Sequence, residues 1–144
     1  MSERAAPVGI VVVSHSGRVA DAVVELVASL AYLDPDGPRL VAAGGLDDGS
    51  IGTDAVRISR AIGEADRGSG VVVVADLGSA VLSAFTAIEE LLEPAAAGRV
   101  RVSGGPLVEG AFIGTVQAAA GDDLEAVVAA ANGAAGLDKL DGRA

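Results

Sequence analysis

Residues 8–17 read VGIVVVSHSG, an apolar run that ends abruptly in two hydroxyls, the only histidine of the chain and a glycine. The run Val8–Val13 is apolar at successive positions rather than at alternate ones, which is typical of a strand buried on both faces of a parallel sheet. His15 follows this strand almost directly. The stretch therefore predicts an α/β fold and makes His15 a candidate functional residue at the carboxyl end of the first strand.

The rest of the chain alternates between short apolar runs and segments with helical spacing. Further strands are predicted at residues 39–43, 70–75 and 99–102, and helices at residues 19–30, 56–62, 81–92, 107–120 and 122–131. Either Asp122 or Asp123 is expected to cap the last helix. This alternation predicts a doubly wound α/β fold, with a mainly parallel central sheet of four or five strands flanked by helices. We expect one domain over residues 1–135 and a flexible C-terminal tail over residues 136–144.

The expected order of the strands places two polar segments side by side. Right-handed crossovers in such sheets commonly put the second strand on one side of the first and the third strand on the other. Ligands bind beyond the carboxyl ends of the strands at this switch point. The segments that meet there are Ser14–Gly17, after the first strand, and Asp76–Ser79, after the third.

Composition argues against several classes of function. The formal net charge is −10 and the basic residues are scattered, which disfavours nucleic acid as a partner. No apolar segment is long enough for a membrane span, and we expect a cytoplasmic protein. Because the chain has one histidine and no cysteine, a metal site is not expected. The only lysine, Lys139, lies near the C-terminus outside any P-loop motif, so no nucleotide site is expected either.

The candidate chemistry is nucleophilic attack by His15 on a phosphoryl group. One ring nitrogen can attack if an acceptor holds the other as N–H, and Asp76 is the predicted acceptor. A structural role for His15, and a purely capping role for Asp76, are the alternatives. Hydroxyls and the N-termini of helices would bind the phosphoryl oxygens. The predicted phosphoryl-binding or positioning residues are Ser14, Ser16, Gly17, Gly45, Thr53, Gly78 and Ser79, although helix capping alone would also explain Thr53.

Four blocks of sequence, in order, resemble one known family. They are residues 8–16 (VGIVVVSHS), residues 43–45 (AGG) with residues 51–53 (IGT), residues 74–81 (VADLGSAV), and residues 106–111 (PLVEGA). Together they are similar to the phosphotransfer subunits, DhaM, of dihydroxyacetone kinases that depend on the phosphotransferase system. The likeness covers about residues 8–132. This family resembles the enzyme IIA domains of mannose transporters, which are homodimers with an α/β fold.

The resemblance implies a specific reaction. His15 would accept phosphate from the phosphocarrier HPr, forming a covalent phosphohistidine, and Asp76 would support it. The phosphate would then pass to ADP, held with Mg²⁺ on the partner subunit DhaL, and the resulting ATP would phosphorylate dihydroxyacetone on DhaK. The chain would thus be a phosphoenolpyruvate-glycerone phosphotransferase subunit with no intrinsic cofactor. Because no fused HPr-like domain is found in it, the donor is expected to be a separate protein.

Two alternatives remain open. One is an enzyme IIA domain of a mannose-type sugar transporter, which would pass phosphate to a IIB protein. Such domains tend to follow their aspartate with Leu-x-Gly-Gly-Ser-Pro, whereas Asp76 is followed by LGSAV at residues 77–81, which favours the kinase branch. The other is a regulator in which phosphorylation of His15 only changes a contact surface.

Overall fold

The structure is a computed structural model that describes residues 5–143 and contains one four-stranded sheet there. Its strands are Gly9–Ser14 (β1), Leu40–Gly44 (β2), Val71–Ala75 (β3) and Val100–Val102 (β4). All neighbouring strands are parallel, and their order is β2-β1-β3-β4. The predicted parallel α/β fold is confirmed, and β2 and β3 flank β1 as expected. The carboxyl ends of β1 and β3 therefore lie side by side.

Helices cover both faces of the sheet. Their bounds are Gly17–Leu30 (α1), Ala55–Ala65 (α2), Gly78–Thr86 (α3), Pro94–Ala97 (α4), Leu107–Ala119 (α5) and Leu124–Gly133 (α6). The helix predicted to run continuously to residue 92 instead changes to a π-helical turn at Ala87–Leu91. Helix α4 was not predicted, because four residues are too few to show a helical period of apolar side chains. Asp123, one of the two predicted caps, accepts a hydrogen bond from the N–H of Ala126. Within residues 5–143, no helix has the length and apolar character needed to cross a bilayer.

The sheet separates two apolar layers, which explains why β1 and β3 are apolar at every position. Val11 and Val13 of β1 pack into the layer beneath α2 and α3. Ile10 and Val12 point the other way, into the layer beneath α1, α5 and α6. Each fully buried Val or Ile contributes roughly 1.5–3 kcal/mol relative to an exposed side chain. The ends of these strands are consequently rigid platforms for the residues that follow them.

Two glycines bring the end of β2 against the start of α1. A Cβ atom on Gly44 would lie 2.5 Å from the carbonyl oxygen of Ser16 and 2.8 Å from the Cβ of Ala20. Gly45 has a φ of +68°, a conformation that residues with a side chain rarely adopt. These positions place the loop after β2 directly beside the segment that contains His15.

The segment after α6 folds back along α5. Ala134–Gly136 form a 3₁₀ turn, and the ammonium group of Lys139 pairs with the carboxylate of Glu109 in the first turn of α5. Ala144 lies outside the described residues. The flexibility of residues 136–144, and the domain boundary at residue 135, stay predictions.

Candidate functional site

His15 and Asp76 are brought together by the register of two adjacent strands. Val13 of β1 is level with Ala75 of β3, and the N–H of Asp76 donates to the carbonyl of Val13 at 3.1 Å. The next side chains along the chain therefore meet at the open edge of the sheet. The Nδ1 atom of His15 lies 2.9 Å from Oδ1 of Asp76, and the imidazole side chain is 24% exposed. A ring held on one side and reachable from solvent on the other is the geometry that a nucleophile needs.

The carboxylate of Asp76 accepts four hydrogen bonds. Its Oδ2 receives the hydroxyl of Ser14 at 2.8 Å and the backbone N–H of His15 at 3.0 Å. Its Oδ1 receives the imidazole at 2.9 Å and the backbone N–H of Leu77 at 2.7 Å. Burial raises the pKa of Asp76, but the hydrogen bonds from His15, Ser14 and Leu77 outweigh burial and hold that pKa below its usual value. Asp76 is therefore an ionised acceptor, which assigns the ring proton to Nδ1.

The other ring nitrogen faces a hydroxyl. Nε2 of His15 makes a hydrogen bond with Oγ of Ser79, an exposed residue in the first turn of α3. Because Nδ1 carries the proton, Nε2 has the lone pair, and the hydroxyl of Ser79 is the donor. Nε2 is thus the nitrogen that can attack an electrophile.

The N-terminus of α3 is open next to this nitrogen. Leu77 precedes the helix and makes no side-chain capping hydrogen bond, and a Cβ built on Gly78 would have no atom within 4 Å. An uncapped helix N-terminus has N–H groups and partial positive charge available for an anion. The start of α1 differs, because Ser16 caps it by accepting from the N–H of Val19 at 3.3 Å. A phosphoryl group on Nε2 would meet α3 rather than α1.

Several predicted binding residues use their polar groups within the protein. Ser14 is buried, donates to Asp76 and accepts from the N–H of Ser16 at 3.0 Å. The N–H of Gly45 donates to the carbonyl of Ser14 at 3.1 Å. A Cβ on Gly17 would lie 3.3 Å from the carbonyl oxygen of Gly44, so Gly17 permits close packing. The structure therefore brings Ser79 and Gly78 to the open nitrogen, and places Ser14, Ser16, Gly17 and Gly45 in the surrounding scaffold.

Thr53, also a predicted binding residue, bonds to a residue that sequence reasoning missed. Its Oγ1 lies 2.7 Å from Oγ of Ser83 in α3. Ser83 could have been found from its spacing, because residues four apart on a helix share a face, and Ser79 is four residues before it. The N–H of Gly52 was missed as well: it donates to the carbonyl of His15 at 2.9 Å. Only folding of the loop reveals that contact.

No group of three or more histidine, cysteine or carboxylate side chains able to hold a metal ion is found in residues 5–143.

A protein-family comparison matches residues 9–128 to the family described as PTS system fructose IIA component. The matched region contains His15, Asp76, Ser79 and both strands that position them. It extends from the start of β1 into α6. The family match therefore covers the sheet and every residue of the candidate site.

Individual relatives agree with this match. DhaM of Escherichia coli, the phosphoryl donor subunit of its PEP-dependent dihydroxyacetone kinase, is 44% identical over 123 residues, which are 84% of this chain and 25% of that protein. The chain thus spans about a quarter of that relative. DhaM of PEP-dependent dihydroxyacetone kinase 2 from Listeria innocua is 33% identical over 121 residues, which are 84% of this chain and 94% of that protein.

A solved structure is similar as well. The crystal structure of the protein EF1359, described as of unknown function, is 35% identical and superposes with a TM-score of 0.74. The match covers 88% of this chain and 93% of that one. The fold seen here is therefore shared with an experimentally determined structure.

Proposed function

The chain belongs to the family of PTS system fructose IIA components, and on that premise we propose that it carries phosphate on His15 as the phosphoryl donor subunit of a PEP-dependent dihydroxyacetone kinase. The observation that carries the proposal is the line Asp76–His15–Ser79. In it an ionised carboxylate holds Nδ1–H while Nε2 faces an exposed hydroxyl and an uncapped helix N-terminus. The names of the relatives supply the kinase.

In the first half-reaction, Nε2 attacks the phosphorus of phosphorylated HPr in line with the leaving nitrogen. The bond from phosphorus to the donor's nitrogen breaks, and the electron pair stays on that nitrogen. The ring of His15 gains positive charge, which the carboxylate of Asp76 stabilises at 2.9 Å. The hydroxyl of Ser79 turns from Nε2 to a phosphoryl oxygen, where the first N–H groups of α3 also donate.

In the second half-reaction, the phosphoryl group leaves His15. A terminal oxygen of ADP attacks the phosphorus, the bond to Nε2 breaks, and the ring returns to its neutral form. In this proposal ADP and Mg²⁺ are bound by DhaL, and the ATP formed phosphorylates dihydroxyacetone on DhaK. The chain supplies position and electrostatic stabilisation and acts in the cytoplasm as a homodimer.

A second candidate is favoured by the description of the family itself, which names a sugar-type IIA component. In that case His15 would pass its phosphate to a IIB protein instead of to ADP. The chemistry at Nε2 would be the same. Only the acceptor distinguishes the two functions.

The test is intact-mass measurement after incubation with phosphoenolpyruvate, enzyme I and HPr. The wild type is expected to gain the mass of one phosphoryl group, and His15→Ala is expected to gain none. Phosphorylation of His15→Ala to the same extent would reject His15 as the acceptor. Addition of ADP-loaded DhaL should then remove the phosphate from the wild type. If phosphate passed to a IIB protein and none passed to DhaL, the kinase function would be rejected in favour of the transporter function.

A further inference from the structure

We infer that the hydrogen bond between Thr53 and Ser83 sets the position of Ser79 relative to His15, so that Thr53 and Ser83 are positioning residues for phosphoryl transfer. This inference rests on the proposed function for its kinetic consequences. Its structural content concerns the imidazole itself and can be tested separately.

Two separate segments hold His15 from opposite directions. The loop after β2 holds the main chain, because the N–H of Gly52 donates to the carbonyl of His15 at 2.9 Å. The first turn of α3 holds the ring, through Oγ of Ser79 at Nε2. The relative position of the two segments therefore decides where the ring lies with respect to the hydroxyl.

The Thr53–Ser83 bond joins the loop after β2 to α3. In the loop it lies one residue from the contact with His15, and in α3 it lies one helical turn from that contact. Thr53 directly follows Gly52, and Ser83 lies one turn after Ser79 on the same face of α3. Their hydroxyls are 2.7 Å apart, and both residues are half-buried. His15 is thus connected through Gly52 and Thr53 on one side, and through Ser79 and Ser83 on the other, in a closed circuit of contacts. Partial burial shields the link from competing water.

Both segments have local backbone features that secondary structure alone does not stabilise. Gly52 has a φ of +154°, a backbone conformation that glycine adopts freely, and the neighbouring Ile51 is exposed. At the other side, α3 has no side-chain cap and gives way to a π-helical turn after Thr86. The buried Ala80 and Ala84 hold α3 on the sheet, and the hydroxyl pair adds a side-chain connection between this helix and the loop after β2.

The expected kinetic effect is moderate. A displacement of about 1 Å can cost on the order of 100-fold in rate. When the pair is broken, however, Asp76 still holds the imidazole and Gly52 still holds the main chain of His15. We therefore expect Thr53→Val and Ser83→Ala each to slow transfer from phosphorylated HPr roughly 3- to 10-fold in single-turnover experiments. The donor concentration that gives half the maximal rate should stay unchanged, because both hydroxyls are half-buried and bonded to each other.

The double variant separates a pair from two independent residues. If the bond between the hydroxyls is what matters, Thr53→Val combined with Ser83→Ala should be no slower than the slower single variant. Thr53→Ser retains the hydroxyl and should recover most of the rate that Thr53→Val loses. Additive losses in the double variant, or an equal loss in Thr53→Ser, would overturn the inference.

The matched control is Ser59→Ala. The hydroxyl of Ser59 donates to the carbonyl of Val56 at 2.7 Å within α2, the same distance as in the pair, but it has no connection to His15. Resonances of Nδ1–H and Nε2 in ¹⁵N NMR of the unphosphorylated protein should shift in Thr53→Val and in Ser83→Ala, and not in Ser59→Ala. Unchanged ring resonances with reduced stability alone would reject the positioning role. If the wild type accepted no phosphate, the proposed function would fail, and the NMR comparison would still decide the role of the pair.

Discussion

Two aspartates lie at opposite ends of β3, and both are ionised acceptors that bind different partners. Asp66 precedes the strand and has an 8% exposed side chain, whereas Asp76 follows the strand and is 20% exposed. Burial raises the pKa of each carboxyl group. Hydrogen bonds outweigh burial in both, so that each pKa lies below its usual value.

The partners of the two carboxylates differ in charge. Oδ2 of Asp66 binds the guanidinium of Arg99 through Nη2 at 2.9 Å and Nε at 3.0 Å, so its negative charge is permanently balanced. Asp76 is held by a hydroxyl, two backbone N–H groups and an imidazole, as described above. Its charge is balanced only when the ring of His15 becomes positive. The structural carboxylate thus has a permanent cation, whereas in the proposed reaction Asp76 would obtain its cation only when His15 is phosphorylated.

Two cavities within residues 5–143 lie away from the end of the sheet where His15 and Asp76 meet. A groove of about 910 Å³ lies at the amino end of the sheet, and a smaller cavity of about 200 Å³ lies beside β2. His15 lines neither of them. The proposed exchange of phosphate with other proteins would need a reachable nitrogen rather than an enclosed pocket. The convergence of hydrogen-bond donors on Asp76 indicates the candidate site better than cavity volume does.

The largest effect is expected for Asp76→Asn. The amide has no charge to stabilise the positive ring, and its NH₂ group would face donors that now bind Oδ1 or Oδ2. We expect phosphoryl transfer to His15 to slow on the order of 100-fold or more. Single-turnover transfer from phosphorylated HPr, followed by intact mass, measures this. A variant that keeps more than half of the wild-type rate would show that the charge of Asp76 is not used.

A smaller effect, on stability instead of transfer, is expected for Asp66→Asn. Loss of the charge leaves Arg99 without its carboxylate partner, but that side chain is 39% exposed and can be hydrated by solvent. We expect a loss of about 1–2 kcal/mol in the free energy of unfolding, measured by chemical denaturation. The transfer rate of the folded protein should stay within about twofold, as expected for a residue remote from the reacting atoms.

The matched control for this variant is Asp47→Asn. Asp47 pairs with Arg57 at 2.8 Å, but its side chain is 73% exposed, so the pair is screened by water. We expect its loss to cost less than about 0.5 kcal/mol. An equal cost for Asp47→Asn and Asp66→Asn would contradict the importance of burial in the Asp66–Arg99 pair. A slow transfer rate in Asp66→Asn would contradict the division of roles between the two aspartates.

The sequence predicted the fold and the meeting of His15 with Asp76 because both follow from strong local signals. Runs such as Val8–Val13 fix strands by their apolar character, and the parallel order then brings His15 and Asp76 to one edge. The partners of Thr53 and Gly52 could not be predicted, because the path of the loop after β2 depends on the close packing of Gly44 against α1. Hydroxyls and N–H groups in a loop have many possible partners, and only the packed structure selects one.

The last expected effect concerns acid and applies to both aspartates. Since each folded-state pKa lies below the unfolded value of about 3.9, the unfolded protein binds more protons as the pH falls through that range. The stability that each ionised carboxylate contributes is therefore complete above about pH 5 and is lost as the pH falls through the folded-state pKa. The stability lost in Asp66→Asn should accordingly be constant from about pH 7 to 5 and should shrink below about pH 4. Chemical denaturation of wild type and Asp66→Asn across this range measures the difference. If the stability difference between wild type and Asp66→Asn persisted undiminished in acid, the interaction with Arg99 would not depend on the charge of Asp66. Asp66 would then no longer serve as the structural counterpart of Asp76.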